Sequence, residues 1–150
     1  MSLLGPPSLK GRALRLLSGR EHSRAELQRK LAAHEQEPGQ LARVLDELQV
    51  KDFINEQRVV DSVVHRRSGK LGAMRIRQEL QSKGLDNDKV QAALGQLKAT
   101  ELARARDVWA RKFDALPADA AERGKQARFL AARGFDGNVV RRVLAGSEPD

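Results

Sequence analysis

Five cations, Arg66, Arg67, Lys70, Arg75 and Arg77, stand between Asp61 and Glu79 with no acidic residue among them. Bunched around one turn, they are the residues best placed to do chemistry, and that chemistry is binding. Guanidinium and ammonium groups hold phosphate or carboxylate oxygens through charge-assisted hydrogen bonds. Catalytic groups are much harder to find. His22, His34 and His65 are scattered, and none pairs with a second His or a carboxylate at metal-ligand spacing. Gly69-Lys70 is followed by Leu71 and Gly124-Lys125 by Gln126, so neither forms a phosphate-cradling loop of the P-loop type. Glu35 with Glu37, and Asp86 with Asp88, are explained by turns and helix starts. The sequence therefore reads as a non-enzyme, with no catalytic residue, metal site or cofactor site. Aromatic residues stand apart from the basic stretch in sequence: Phe53 precedes it, and Trp109 and Phe113 read as the core face of a later helix. A base-stacking platform, which interleaves flat rings with cations, is not expected there.

The whole composition leans the same way. The 150 residues carry 28 Lys and Arg against 20 Asp and Glu, a formal charge of +8. Each third of the chain is positive, with 8 basic and 6 acidic residues, then 10 and 6, then 10 and 8. Such a balance favours a polyanion or an acidic protein surface as partner. Cysteine is absent, which excludes disulfides and thiolate metal sites. No basic segment precedes a long apolar one at the N-terminus, and no run reaches the roughly 18 apolar residues of a membrane span. A cytoplasmic monomer with no membrane partner is expected. Four Phe and one Trp leave the core to Leu, Val, Ile and Ala, while 32% charged residues favour a surface-rich, extended shape.

Helices must position these groups. Leu9, Ala13, Leu16 and Leu17 form one apolar stripe; Leu41, Val44, Leu45 and Leu48 form a second; Val90, Ala93, Leu94 and Leu97 form a third. Ser23-Arg24-Ala25-Glu26 reads as a capping box. Pro38 suits a first helical position. Gly84 and Gly134 are placed to end helices in the left-handed conformation, with Asp86 and Asp136 as the next caps. These signals repeat. Leu80 to Asp86 matches Leu130 to Asp136 at an offset of 50, and Leu31, Leu41, Leu45 and Leu48 match Leu80, Val90, Leu94 and Leu97 at 49. The reading is all-α: an elongated, curved array of three tandem three-helix modules, nine helices in all. Expected boundaries are 9–50, 51–99 and 100–146, with a flexible N-terminus over 1–8 and a tail over 147–150.

The repeat also resembles a known family. Ala13-Leu14-Arg15-Leu16-Leu17, Arg20 to Leu27 with Lys30-Leu31, Phe53-Ile54-Asn55-Glu56 with Arg58, and Gly72 to Leu80 with Lys83-Gly84 are similar to the RecX family. Val59, where an aromatic often stands, and the His34-Glu35-Gln36-Glu37-Pro38 turn of the first copy depart from its pattern. The resemblance implies a cytoplasmic regulator of the RecA recombinase, lying in the groove of the RecA filament on single-stranded DNA. It further implies a block on filament growth, with ATPase, strand exchange and coprotease activities damped. Arg66, Arg67, Lys70, Arg75 and Arg77 are then the expected contacts to RecA or to DNA. The alternative is a free-standing DNA-binding protein that reads bases with Arg75-Ile76-Arg77-Gln78, although the other copies offer nothing equivalent.

Overall fold

A computed structural model describes residues 6–147 and contains helices and turns with no strand among them. The helices are α1 (Leu9–Gly19), α2 (Arg24–Leu31), α3 (Gln40–Val50), α4 (Glu56–Arg67), α5 (Ala73–Ser82), α6 (Asn87–Lys112), α7 (Ala120–Ala132) and α8 (Gly137–Leu144). A single 3-10 turn, Ala32–His34, follows α2. The expectations for 1–5 and 148–150 fall outside the described residues.

Among the described residues, eight α-helices replace the expected nine, because the third helix of the second module and the first of the third are one rod. α6 runs 26 residues straight through the expected boundary at 99/100. Leu97-Lys98-Ala99-Thr100-Glu101-Leu102 contains no Pro, Gly or turn signal that could stop it. Other termini obey local chemistry. Ser8, Asn55 and Asp119 each accept a backbone amide three residues on, at 3.0, 3.0 and 2.8 Å. Ser23 and Glu26 close the capping box reciprocally, at 3.1 and 3.0 Å. Asp136 caps α8 through Asn138 N at 2.7 Å, whereas Asp86 holds the cap position of α6 without a side-chain bond. Pro38 is not the first helical residue: it lies in the turn before Gly39, whose φ of 84° forms the entry to α3.

Three separate cores result. Ala13, Leu27, Leu41, Leu45 and Leu48 belong to the first; Val60, Val63, Ile76, Leu80 and Val90 to the second; Ala105, Leu130, Phe135, Val143 and Leu144 to the third. Main helix packing stays inside the triplets α1–α2–α3, α4–α5–α6 and α6–α7–α8, with α6 shared. The chain exposes 9396 Å². A compact monomer of 16.6 kDa would expose about 7,600 Å². The excess is what a tandem array with three thin cores requires.

Modules are joined by the repeated turn itself. Gly84 and Gly134 take φ of 67° and 92°, as expected of helix terminators, and each also lies against the preceding module. At the second junction, α7 ends on the start of α5. Gly72 N donates to Arg133 O at 2.8 Å, Met74 N to Gly134 O at 3.1 Å, and the Arg75 guanidinium to Ala132 O at 2.8 Å. At the first junction, α5 ends on the start of α2. Ser23 Oγ donates to Lys83 O at 2.5 Å, and Arg29 donates to Ser82 O at 2.9 Å. Helices α7, α5 and α2 therefore follow one another end to end, each carbonyl end meeting the amide end of the next. That alignment is electrostatically favourable for helix dipoles.

Candidate functional site

The five expected cations do not form one patch. Arg66 and Arg67, in the last turn of α4, share Glu79, at 3.8 and 3.0 Å. Arg75 serves the second junction through Ala132 O. Arg77 stands two residues further, about 200° around α5, and lines a groove of about 300 Å³ with Met74, Lys98 and Asp136. Only Arg67 and Lys70 of the five open onto the larger cleft, about 490 Å³, between the second and third modules.

Four residues absent from the sequence reading complete that cleft: Arg111 and Lys112 at the end of α6, Phe129 in α7, and Arg133 at its C-cap. Leu71 and Val108 supply apolar lining. Five cations thus converge with no carboxylate among the lining residues. The Arg133 guanidinium lies over the Phe129 ring, 4.3 Å from its centroid, and Lys112 Nζ lies 5.8 Å from it. Phe113 meets the same ring edge to face, at 5.3 Å and 86°. Phe113 is thus half-buried beside the cleft, while Trp109 packs on the third core and donates from Nε1 to Gln126 at 2.8 Å. Phe129 and Arg133 are four apart on one helix face, and that spacing was the one signal available for the pair. Nothing in sequence brings position 129 to position 70.

α6 holds the Lys70 loop in place. Arg104 donates to Ser68 O and Leu71 O, both at 3.0 Å, and to Leu97 O at 3.1 Å. Arg111 donates to Gly69 O at 2.5 Å. Glu101 lies beneath the same junction, accepting from Ala73 N at 3.0 Å and 3.5 Å from Arg104. Burial pushes its carboxyl up, against the Ala73 amide and Arg104, which favour the charged form. This buried carboxylate caps α5 from another helix, since Gly72 has no side chain to do so.

Buried His22 meets Arg20 O through Nδ1 at 3.1 Å and Lys30 Nζ through Nε2 at 3.2 Å. Burial, then the charges of Arg20 and Lys30, hold its pKa below the ordinary imidazole value. No group of three or more His, Asp or Glu among the described residues could hold a metal. No described helix is long and apolar enough to cross a membrane.

Comparison with known proteins places this architecture. Three family profiles match in tandem: the RecX first three-helix domain over residues 10–48, the second over 55–94 and the third over 99–144. The regulatory protein RecX of Leptothrix cholodnii is 56% identical over 137 residues, covering 91% of this chain and 87% of that one. That of Ralstonia nicotianae is 48% identical over 143 residues, covering 95% and 90%. The crystal structure of RecX from Lactobacillus salivarius superposes with a TM-score of 0.76 at 19% identity, covering 92% and 93%. With three matching modules in tandem and 48–56% identity to these regulators over nearly its whole length, the chain belongs to the RecX family of regulatory proteins.

Proposed function

We propose that this protein is a non-enzymatic regulator, mainly an inhibitor, of the RecA recombinase. It binds the RecA filament on single-stranded DNA and limits filament growth, ATPase, strand exchange and coprotease activity. It does so in the cytoplasm, as a monomer. The observation that carries the reading is the basic cleft between the second and third modules, set in an extended array of a family of regulators. An extended positive body suits a filament, which offers both phosphate and acidic protein surface along its groove. Arg67 and Lys70 are the expected residues that line the cleft. Arg66 supports it through the shared Glu79, Arg75 by fixing the junction, and Arg77 offers a separate contact on the other side of α5.

A free-standing reader of duplex bases fits less well. A recognition helix presents its N-terminal residues to the major groove. The start of α5 is instead docked on Arg133 and Gly134. The test is RecA ATPase on single-stranded DNA with this protein titrated in. Inhibition well below one protein per RecA is expected. No effect at any ratio, or an effect only when the protein coats the DNA, would overturn the proposal.

A further inference from the structure

We propose that His22 is a proton-operated latch between the first module and the second. Neutral, it holds the α1–α2 turn in the shape on which the second module docks. Protonated, it releases the first module while the second and third stay one body. The inference goes beyond the reading of the protein as a RecA regulator and does not depend on it.

The partners of the ring fix its charge state. His22 is only 2% exposed. Arg20 O can only accept, so Nδ1, 3.1 Å away, carries the hydrogen. Lys30 Nζ can only donate, so Nε2, 3.2 Å away, presents its lone pair. A second ring proton would enter on Nε2 and face an ammonium, donor to donor, in a buried site. Surrounding charges oppose it as well. Arg20 in the turn and Lys30 on α2 stand against one carboxylate, Glu26, and Lys83 arrives from the end of α5. Both Glu26 oxygens are already committed, Oε1 to Ser23 N and Oε2 to Arg20 and Lys83. Burial and the two nearby cations therefore keep the imidazole neutral. Docking is complete above about pH 6.5 and weakens as pH falls through the lowered folded value.

The same turn is the docking face. The residues on either side of His22 both bond across the junction: Glu21 accepts from Arg58 Nε of α4 at 3.0 Å, and Ser23 Oγ donates to Lys83 O at 2.5 Å. Displacing the ring displaces both. The first and second cores are separate, and the chain passes between them through a turn in which Asp52 takes φ of 65°. A non-glycine residue keeps that conformation only where its contacts hold it. At the second junction, by contrast, α6 runs through unbroken. No buried histidine stands there, since His34 and His65 are exposed. The buried carboxyl beside it, Glu101, is pushed up by burial, so acid acts at that junction in the opposite sense.

The experiment is single-molecule energy transfer on the full chain, which has no native cysteine to compete for dye. Ala42→Cys on α3 with Ala92→Cys on α6 reads the first junction. Ala92→Cys with Ala131→Cys on α7 reads the second; all three positions are exposed. Between about pH 7.5 and 5 the first pair should pass from one population to two, the open-to-docked ratio rising by up to about tenfold per pH unit, as one linked proton requires. The second pair should stay single, with helicity by circular dichroism unchanged. His22→Gln, which leaves an uncharged acceptor for Lys30, should abolish the pH dependence. Because Lys30 is exposed, Lys30→Gln spares the core if the buried variant fails to fold. It removes the facing ammonium, so the transition should flatten and the His22 ring resonances should titrate at a higher pH than in wild type. A merely structural role for the ring would move neither. A first pair that stays constant, two pairs that change together, or a wild-type pH profile in either folded variant would each overturn the inference. None of these outcomes bears on RecA ATPase inhibition at neutral pH, which tests the proposed function separately.

Discussion

Glu26 and Glu101 are both buried carboxylates at module junctions, yet they titrate in opposite senses. Burial raises the Glu26 carboxyl, but Arg20, the Ser23 amide and Lys83 outweigh it and hold its pKa at about 2. A folded pKa below the unfolded one means stability is fully present above about pH 4.5 and is lost as pH falls toward 2. Urea titrations should show a loss on the order of 2–3 kcal/mol across that window, and Glu26→Gln should remove much of the dependence. Unchanged pH dependence in Glu26→Gln would show that the junction's charge balance lies elsewhere. For Glu101 the sign reverses: its raised pKa makes the protonated form the more stabilising, so its contribution falls as pH rises through the folded value. Glu101→Ala orphans Ala73 N and should cost about 1–3 kcal/mol, while Glu101→Gln keeps an acceptor and should cost less. Chemical denaturation of the two variants side by side separates capping from charge.

At the scale of elements, the repeated Gly turn does two jobs. As a helix terminator it takes a positive φ, and as a connector it lets two backbones touch. A Cβ on Gly84 would stand 2.7 Å from Ala25 Cβ; one on Gly134 would stand 2.6 Å from Arg75 N. Both substitutions to Ala should destabilise by about 1 kcal/mol or more from conformation alone. Gly134→Ala should be the worse, because its Cβ would meet three atoms of Arg75 within 2.7 Å, backbone nitrogen included, against the single Ala25 methyl at Gly84. Equal melting temperatures for wild type and Gly134→Ala would mean that the junction is not closed in solution. The first copy makes no such junction among the described residues, and it has Glu35 where the other two copies have Gly.

For the whole molecule, α6 couples the second and third modules as a shared rod while the first is joined by turns and polar contacts. Ala99 is exposed at the middle of that rod, so Ala99→Pro tests the backbone with no core side chain lost. It should cost about 3 kcal/mol and broaden the distance distribution in small-angle scattering, since the cleft's two walls then move independently. A scattering profile identical to wild type would show that the junction at Gly72 and Gly134 suffices alone. RecA ATPase inhibition should weaken in the same variant, because Lys70 and Arg133 sit on opposite sides of the break.

Helical periodicity, the capping box at Ser23 and the glycine terminators were all decided by local chemistry, so they could be read from the chain directly. The all-α class and the threefold repeat follow from the same source: apolar spacing records which face must be buried, whatever covers it. The eighth helix count was also legible in principle, since 97–102 carries no stop signal, but repeat symmetry suggested a break that the residues do not encode. The cleft was not legible. Local spacing grouped Arg66, Arg67, Lys70, Arg75 and Arg77, while helix geometry sends Arg75 and Arg77 to different sides of α5. Their place is taken by Arg111 and Lys112, which α6 carries to the Lys70 loop, and by Phe129 and Arg133, whose nearness to Lys70 depends on where α7 ends. That position is set by Gly134 meeting Gly72 across 62 residues, and a contact between two glycine backbones leaves no hydrophobic or charge pattern in the sequence.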